Sequence, residues 1–518
     1  METSQRQVAR AAALIMVAFA VSRVLGLVRQ IVFGAYFGTG PEMDAYVAAV
    51  RIPDAIFLVV AGGALGSAFI PLFTGRLARE ERAEAWRLAS AIITLLTVIL
   101  VPISVACVIL APWLVGTFVA PALPPEIQAR TVDVMRVMLI SPTIFGISGI
   151  VMGILNAHQH FFLPAVAPII YNLGLIGGGI VGGMTPAGAM GPAVGMVAGA
   201  VGHLIVQVPG LVKYRARFSP TFGREDPGVR EVGLLIAPRM LGMAAAQINT
   251  IVISNLASRL GTGAIATLEY ALLLVMLPQG IFAQAVGTAV FPTFSKQAAL
   301  GERGALRDTL TNALGMLVAL AVPSTVGLIL LGKPIVVTMF QRGAFDAASA
   351  QAVAWALAFF AVGLVGHSAL EVLGRAFYAL QDTWTPALAA IGAVIVNAGL
   401  GMVLPGLFEA VDVVPLGGLA LATSLAAVLQ MAVLFVLIGR RLGEFAARPL
   451  WGTTIRVVVA SSAMAVAIGL FMRVGPDSPY LQALLGIPIG VLAYVAFAWM
   501  LGVSQLRMVV RMVTSRAT

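Results

Sequence analysis

Hydrophobic residues are gathered into long runs that recur from one end of the chain to the other, with short polar breaks between them. A helix needs about 20 consecutive apolar residues to cross the hydrocarbon core of a bilayer. Fourteen runs meet this requirement, so the pattern predicts an all-α polytopic membrane protein. The predicted spans are 11–37, 44–73, 87–117, 131–155, 161–184, 190–212, 231–257, 265–293, 309–331, 350–379, 385–407, 414–439, 451–472 and 480–503.

The composition supports this fold class. Of the 518 residues, 60% are hydrophobic and 10% are charged, whereas about 25% of the residues of a soluble domain are charged. The single cysteine, Cys107, excludes a disulfide framework and a cysteine-based metal site. Glycine runs such as 177–179 lie inside predicted helices and not between a strand and a helix, so they are not phosphate loops. The sequence therefore predicts a transporter without a cofactor, not an enzyme.

The basic residues lie mostly in alternate loops. Twenty Lys and Arg residues fall on the side that contains both termini, and five fall on the opposite side. Cytoplasmic loops carry an excess of Lys and Arg, so both termini are expected in the cytoplasm and the protein in a bacterial inner membrane. The net charge of +10 is interpreted as a topology determinant that faces anionic membrane lipids, not as a nucleic-acid surface.

The chain repeats itself at a distance of 221 or 222 residues. The segment 68–74 reappears as 289–295, and Gln159 with its following proline reappears at Gln381. Six predicted helices separate equivalent points, so the two copies have the same orientation in the membrane. The repeat predicts two pseudo-symmetric lobes that alternate in access around a substrate site between them. The predicted divisions are 1–218 for the first six helices, 219–442 for the next six, and 443–518 for helices 13–14 and a tail.

Charged residues inside membrane spans are costly and mark functional sites by default. The richest stretch covers predicted helices 1 and 2, where arginine is suited to a phosphate-bearing ligand because its planar fork grips oxygen atoms bidentately. Asp44 and Arg51 are expected on one helix face, and Arg51 and Asp54 are spaced to pair. The alternative is that the arginines pair with the acids and only fix helix packing. The stretch comprises Ser22, Arg23, Arg29, Asp44, Arg51 and Asp54.

A second row of ionisable residues lies on predicted helix 10. His367, Glu371 and Arg375 follow one another at four-residue intervals on one face, an arrangement that could relay protons or hold a cation, or form a self-satisfied structural network. The remaining intramembrane groups are weaker candidates. Glu269 is a possible coupling residue, Arg239 is a possible further cation of the cavity, and His203 is expected to have a packing role. Asp133 and Arg136 are expected to form a structural pair.

The segment Ser22–Arg29 resembles the helix 1 signature of the MurJ/MviN family of lipid II flippases. The resemblance continues in order along nearly the whole chain, at the segments 44–46, 51–54, 63–71, 153–157, 278–296 and 418–424. It implies the fold of the multidrug/oligosaccharidyl-lipid/polysaccharide exporter superfamily, with a lipid-tail groove at helices 13 and 14. The implied activity is transfer of an undecaprenyl-pyrophosphate-linked peptidoglycan precursor from the cytoplasmic to the periplasmic leaflet.

The resemblance also implies site residues. Arg23, Arg29 and Asp44 match charged positions that family members need, and with Ser22 and Arg51 they form the predicted substrate site. Coupling to membrane potential, to protons or to sodium is implied, and cell-wall synthesis proteins are implied as partners. Some members bind sodium on helices 7, 11 and 12. Asn397 and Thr423 match that sodium-binding pattern. Ile253 and Gly401 stand where the pattern has acids.

Other departures make the predicted cavity poorer in charge. Gln30 stands where the family has an acid, Phe57 and Leu273 stand where it has arginines, and Gly62 stands where it often has an acid. Two alternatives to a lipid II flippase follow. The first is export of another polyprenyl-linked oligosaccharide or of a drug, although a cationic drug would need acids more than arginines. The second is a non-transporting scaffold in the cell-wall machinery, which the missing charges motivate.

Overall fold

In the computed structural model the chain is helical throughout, and no strand occurs in residues 2–62, 64–443, 447–503 and 505, which are the residues that the structure describes. The chain forms two compact units. Unit 1 contains Met1–Ala266 together with Arg342–Phe345, and unit 2 contains Thr267–Gln341 together with Asp346–Thr518. The predicted lobe boundary at residue 218 rests on the repeat and stays a prediction.

The described residues of unit 1 form ten α-helices that begin and end within it. Pro53 and two π-helical turns, Phe57–Gly62 and Val115–Val119, interrupt regular winding there. The helices are α1 (Glu2–Phe37), α2 (Pro41–Ile56), α3 (Ala64–Ala78), α4 (Arg82–Leu114), α5 (Pro125–Met138), α6 (Ser141–Ala157), α7 (Phe162–Met184), α8 (Met190–Ile205), α9 (Val208–Lys213) and α10 (Pro227–Ser258).

Eight further helices follow. The first of them begins in unit 1 and continues into unit 2, so the chain passes from one unit to the other inside a helix. The helices are α11 (Ala264–Ala299), α12 (Arg303–Phe340), α13 (Ala347–Val362), α14 (Leu364–Ala379), α15 (Trp384–Glu409), α16 (Leu416–Leu442), α17 (Ala447–Val474) and α18 (Pro479–Met500).

These helices account for the predicted membrane spans. Among the described residues, eleven helical segments are long and apolar enough to cross a bilayer, and α13 with α14, bent by 46°, makes a twelfth. Predicted span 2 corresponds to α2 and α3, which the π-helical turn Phe57–Gly62 separates. Predicted span 7 corresponds to α10. The all-α polytopic fold is therefore confirmed.

The internal repeat is visible in the backbone. Gln159 and Gln381 both adopt positive φ angles, 58° and 59°. The residue after each glutamine donates its N–H to the carbonyl five residues before it, from His160 to Leu155 and from Asp382 to Phe377. A left-handed residue at a helix C-terminus is usually glycine, because other side chains are strained there. The same unusual turn at positions 222 residues apart supports the parallel repeat.

Glycine allows close packing of α7 on α8 in unit 1. A Cβ atom added to Gly178 would lie 2.7 Å from Cα of Gly195, and one added to Gly174 would lie 2.6 Å from Cα of Gly199. Small residues let helix backbones approach in membranes, where van der Waals contact drives association. This packing fixes α7, and α7 in turn carries α1, whose Phe33 ring fills the space beside Gly179.

An ion pair fixes the start of α10. Asp226 caps this helix by accepting the N–H of Gly228, and it also accepts a 2.7 Å hydrogen bond from Nη1 of Arg76 at the end of α3. The Arg76 guanidinium holds the pKa of Asp226 below its usual value. Because this pKa is lower in the folded protein than in the unfolded chain, the pair stabilises the fold at neutral pH, and the stabilisation disappears as the pH falls through the folded-state pKa.

Asp226→Asn is therefore expected to lower the stability at pH 7 by about 1 kcal/mol, the upper range for a partly exposed pair. Thermal unfolding of both proteins between pH 7 and pH 3 measures this difference, which should shrink as the pH falls below about 3.9. Asp308→Asn is the matched control, because Asp308 contacts Arg307 with 69% of its side chain exposed. A difference in stability that grows towards acid pH would contradict this interpretation of the pair.

Candidate functional site

The two arginines of α1 have different surroundings. Arg23 is exposed, and no described residue forms a hydrogen bond or ion pair with it, while Ser22 is half-buried. Arg29 is half-buried, and its Nη1 lies 3.4 Å from Oδ1 of Asn172 on α7. Neither guanidinium is paired with a described carboxylate, so both cations remain available to an anionic ligand.

Asn172 is held in position by the carbonyl of Pro168, one helical turn before it. Its Nδ2 donates to the carbonyl of Pro168, at a distance of 3.0 Å. This contact turns the amide oxygen towards Arg29, so the arginine faces a neutral acceptor. The sequence reasoning missed Asn172, although an amide inside an apolar run, four residues after a proline, is a signal that could have found it.

The middle of α2 forms the other side of this region. Arg51 and Asp54 are half-buried and Pro53 is buried beside them, directly before the π-helical turn at Phe57–Gly62. Asp54 and Tyr171 of α7 line one cavity, and the residue after Tyr171 is Asn172, the partner of Arg29. The structure thus brings Asp54 and Arg29 close to neighbouring residues of α7, which the sequence did not identify. The pairing of Arg51 with Asp54 stays a prediction, as does contact of Ser22, Arg23 or Arg51 with a substrate.

Asp44 has a different environment from the arginines. Its side chain is fully buried, and Oδ1 accepts the N–H of Ala266 at 2.8 Å while Oδ2 accepts the N–H of Gly263. Both donors lie at the start of α11, where the first N–H groups of a helix lack partners inside the helix. In this structure Asp44 therefore holds the beginning of α11, and a direct contact with substrate stays a prediction.

The loop before α13 packs on the end of α1. Ala344 donates its N–H to the carbonyl of Ala35 at 2.8 Å, and Gly343 and Gly38 both have positive φ. A Cβ atom on Gly38 would lie 2.9 Å from the carbonyl carbon of Ala344. The end of α1 and the segment Arg342–Phe345 thus pack together within unit 1.

In unit 2, the row on α14 is partly a hydrogen-bonded network. Arg375 pairs with Glu371 at 2.6 Å and donates from Nη1 to Oγ1 of Thr288 on α11 at 3.0 Å. His367 lies one turn before Glu371 and has a buried Nε2. Glu269, on α11, is half-buried. A coupling role for these four residues stays a prediction.

The predicted cation pair also comes together in unit 2. Asn397 and Thr423 are both buried, and Oγ1 of Thr423 donates to Oδ1 of Asn397 at 3.3 Å. Gly401 is buried one turn after Asn397 and supplies no carboxylate. Among the described residues no group of three or more His, Cys, Asp or Glu side chains is arranged to hold a metal ion. A cation site here stays a prediction.

An apolar groove runs along unit 2. Its volume is about 550 Å³, and it is lined by residues of α11, α12, α17 and α18, among them Phe282, Leu331, Met464 and Val491. Tyr494 lies in this groove and donates its hydroxyl to the carbonyl of Ala319 at 2.6 Å. That carbonyl lacks its usual helical donor because the residue four positions later is Pro323, which has no N–H. The hydroxyl of Ser324, which also lines the groove, donates to the carbonyl of Leu320 at 2.7 Å. The groove can therefore take a hydrocarbon chain, because the hydroxyls of Tyr494 and Ser324 are already hydrogen-bonded.

The remaining candidates have structural surroundings. Asp133 and Arg136 form the predicted pair, 3.7 Å apart and largely exposed. His203 accepts or donates a 2.7 Å hydrogen bond with Ser148, in agreement with a packing role. Leu273 is half-buried on α11, and Ile253 is half-buried on α10. The side chain of Arg239 lies outside the described residues.

Comparison with known proteins identifies the family. The family model described as lipid II flippase MurJ matches residues 33–480. The lipid II flippase MurJ of Burkholderia cenocepacia is 32% identical over 440 residues, which cover 83% of this chain and 83% of the relative. A solved structure described as lipid II flippase MurJ in an inward closed conformation has a TM-score of 0.78 at 26% identity, with 94% of this chain and 98% of that chain covered.

A more distant match shows the fold alone. An inward-facing multidrug resistance transporter of the MATE family, in the MOP superfamily, has a TM-score of 0.68 at 16% identity, with 83% of this chain and 98% of that chain covered. The predicted fold agrees with both structural matches. The family model covers most of the sequence in one continuous match, and this chain belongs to the lipid II flippase MurJ family.

Proposed function

We propose that this chain moves lipid II, a polyprenyl-diphosphate-linked peptidoglycan precursor, from the cytoplasmic to the periplasmic leaflet by alternating access. The observation that carries the proposal is Arg29, a half-buried cation whose described partner is the neutral amide of Asn172. A guanidinium in this position has donors left for the diphosphate, because only Nη1 is engaged and only at 3.4 Å. Arg23, which is exposed on the same helix, adds a second cation.

The groove of unit 2 supports the same proposal. A polyprenyl chain is apolar, and the groove presents apolar side chains from four helices over about 550 Å³. The lipid chain would lie in this groove, along α17 and α18. Another polyprenyl-linked oligosaccharide has the same diphosphate and the same chain, so the arginines and the groove favour this chemical class over a cationic drug.

Filling the groove is expected to block transport without unfolding the protein. Gly327 lines the groove, and a Cβ atom added there has no neighbour within 4 Å, so Gly327→Phe places a ring in open space. We expect at least a tenfold loss of transport, measured in proteoliposomes, because the ring competes with the lipid chain. Gly304→Phe on the same helix, also without neighbours within 4 Å, is the matched control. Equal transport by the two variants would exclude the groove from the lipid path.

Orientation and coupling are part of the proposal. Both termini are placed in the cytoplasm on the basis of the loop charges. Each elementary charge that crosses the field gains about 2.3 kcal/mol per 100 mV, which is enough to bias a two-state carrier, so membrane potential is the simplest driving force. Protons through the α14 row and sodium at Asn397 and Thr423 are the alternatives, separable by collapsing each gradient in turn.

Complementation tests the proposed function. A strain depleted of its own lipid II flippase is expected to resume growth when it expresses this chain, and not when it expresses the Arg29→Ala variant. If the wild-type chain is present in the membrane at normal levels and growth does not resume, the flippase assignment fails. Such a result, together with co-purification of cell-wall enzymes, would favour the scaffold alternative.

A further inference from the structure

A cavity of about 350 Å³ lies inside unit 1, apart from the groove of unit 2. Helices α2, α6, α7 and α8 enclose it, and its walls include Phe57, Phe145 and Tyr171. The Phe145 ring lies 5.3 Å from Phe57, 4.9 Å from Tyr171 and 5.5 Å from His203, measured between ring centroids. These distances are those of favourable aromatic pairs, so the cavity has ordered aromatic walls.

One edge of the cavity is polar. Asp54 and Ser141 line it. Ser141 is fully buried and has an Oγ for which no described residue is a hydrogen-bond partner. A buried hydroxyl without a partner costs free energy, and most such groups in proteins are paired. A ligand that hydrogen-bonds with this hydroxyl would remove that cost.

His203 contributes a further polar group to the lining of the cavity. Its Nδ1 shares a 2.7 Å hydrogen bond with Oγ of Ser148, and this Oγ also accepts a 2.8 Å hydrogen bond from Nε2 of Gln207. Because Nδ1 is engaged, Nε2 is the ring nitrogen left for a ligand, as a donor or an acceptor according to the tautomer.

We infer that this cavity, the aromatic pocket of unit 1, is a binding site for a small planar aromatic molecule that carries one amine or hydroxyl group. The rings and the sulfur atoms of Met152 and Met196 suit a flat aromatic body, and Asp54, Ser141 and His203 suit its amine or hydroxyl group. Pockets for small molecules are typically 300–1,000 Å³, mainly apolar, and carry a few polar groups. The pocket borders the candidate site through Asp54 and Tyr171, and the binding of a small aromatic molecule there goes beyond the proposed flippase activity.

Occupation of the pocket is expected to inhibit transport. Pro53, Phe57 and Leu58 line it, and they lie where α2 changes from α-helix to π-helix beside Arg51 and Asp54. A ligand packed under this turn would hold it in one conformation, while a transporter must change conformation to alternate its access.

Photolabelling tests the site. The full-length protein in lipid nanodiscs is irradiated with 1-azidoanthracene, with and without excess 1-aminoanthracene, and adducts are mapped by peptide mass spectrometry. Wild type is expected to give adducts within 53–58, 141–152 and 196–203 that the amine competes away by at least fivefold. Labels on lipid-facing residues are not competed, which separates pocket binding from partition into the bilayer.

Variants decide the outcome. Gly149 lines the pocket and a Cβ atom there has no neighbour within 4 Å, so Gly149→Phe fills the pocket and is expected to reduce the competed adducts at least tenfold. Gly149→Leu is the smaller filling variant, and Gly177→Phe on α7, also without neighbours, is the control that should label as wild type does. Ser141→Ala should weaken the competition severalfold. Absence of competed adducts in wild type, or equal competed labelling of wild type and a folded Gly149 variant, would overturn the inference.

Discussion

Replacing Asp44 with alanine is expected to abolish complementation of a flippase-depleted strain and to destabilise the protein by about 2–5 kcal/mol. The carboxylate is fully buried and accepts the N–H groups of Gly263 and Ala266. Each buried N–H left without a partner costs about 1–3 kcal/mol. The start of α11, which leads from unit 1 into unit 2, would lose the contact that holds it.

Thermal unfolding and growth of the depleted strain measure this effect. Asp44→Asn should be intermediate, because the amide keeps one oxygen acceptor and presents its NH2 group to the second donor. Asp133→Ala is the matched control, since that acid is 60% exposed and its loss should change stability by less than about 0.5 kcal/mol. An Asp44→Ala protein that melts and complements like wild type would show that the contact with α11 is dispensable.

Replacing Arg29 with alanine is expected to weaken lipid II binding by about 10- to 150-fold without changing the melting temperature. Charge-assisted hydrogen bonds contribute about 1.5–3 kcal/mol, and each 1.4 kcal/mol corresponds to a factor of ten in affinity. Among the residues that the structure describes, Arg29 contacts Asn172 at 3.4 Å and pairs with no carboxylate. Its removal therefore leaves no described buried carboxylate unpaired. Stability should therefore be preserved while binding is lost.

The dissociation constant of the purified protein for lipid II in nanodiscs measures this prediction. Arg29→Lys keeps the charge and loses the planar fork, so its affinity should lie between those of wild type and Arg29→Ala. Arg136→Ala, which removes an arginine with 43% of its side chain exposed, is the control for net charge and should bind normally. Wild-type affinity in a folded Arg29→Ala protein would remove Arg29 from the substrate site.

Local patterns in the sequence predicted the features that depend on local chemistry. Apolar runs gave the membrane spans because their length is set by the bilayer. The repeated Gln159 and Gln381 turns follow from the same residues at the same spacing. The pairs Asp133–Arg136 and Glu371–Arg375 are one turn apart on a helix, where their spacing alone brings them together.

Contacts between distant segments were not predictable in this way. Asp44 and its partner Gly263 are 219 residues apart, and no helical period relates them. Asn172 approaches Arg29 because α1 packs on α7. This packing depends on glycines of α7, which a hydropathy pattern does not distinguish from other apolar residues. The 46° bend between α13 and α14 is supported by Ser424, whose hydroxyl donates to the carbonyls of Phe359 and Phe360 from another helix.

Direct measurement of transport tests the central claim. Purified protein is reconstituted into liposomes that contain lipid II, and the fraction of lipid II that reaches a membrane-impermeant modifying enzyme is followed over time. Wild type should move lipid II much faster than protein-free liposomes, and a variant in which both Arg23 and Arg29 are alanine should match the protein-free rate. Equal rates for wild type and the double variant, or no transport by folded wild type, would contradict the account.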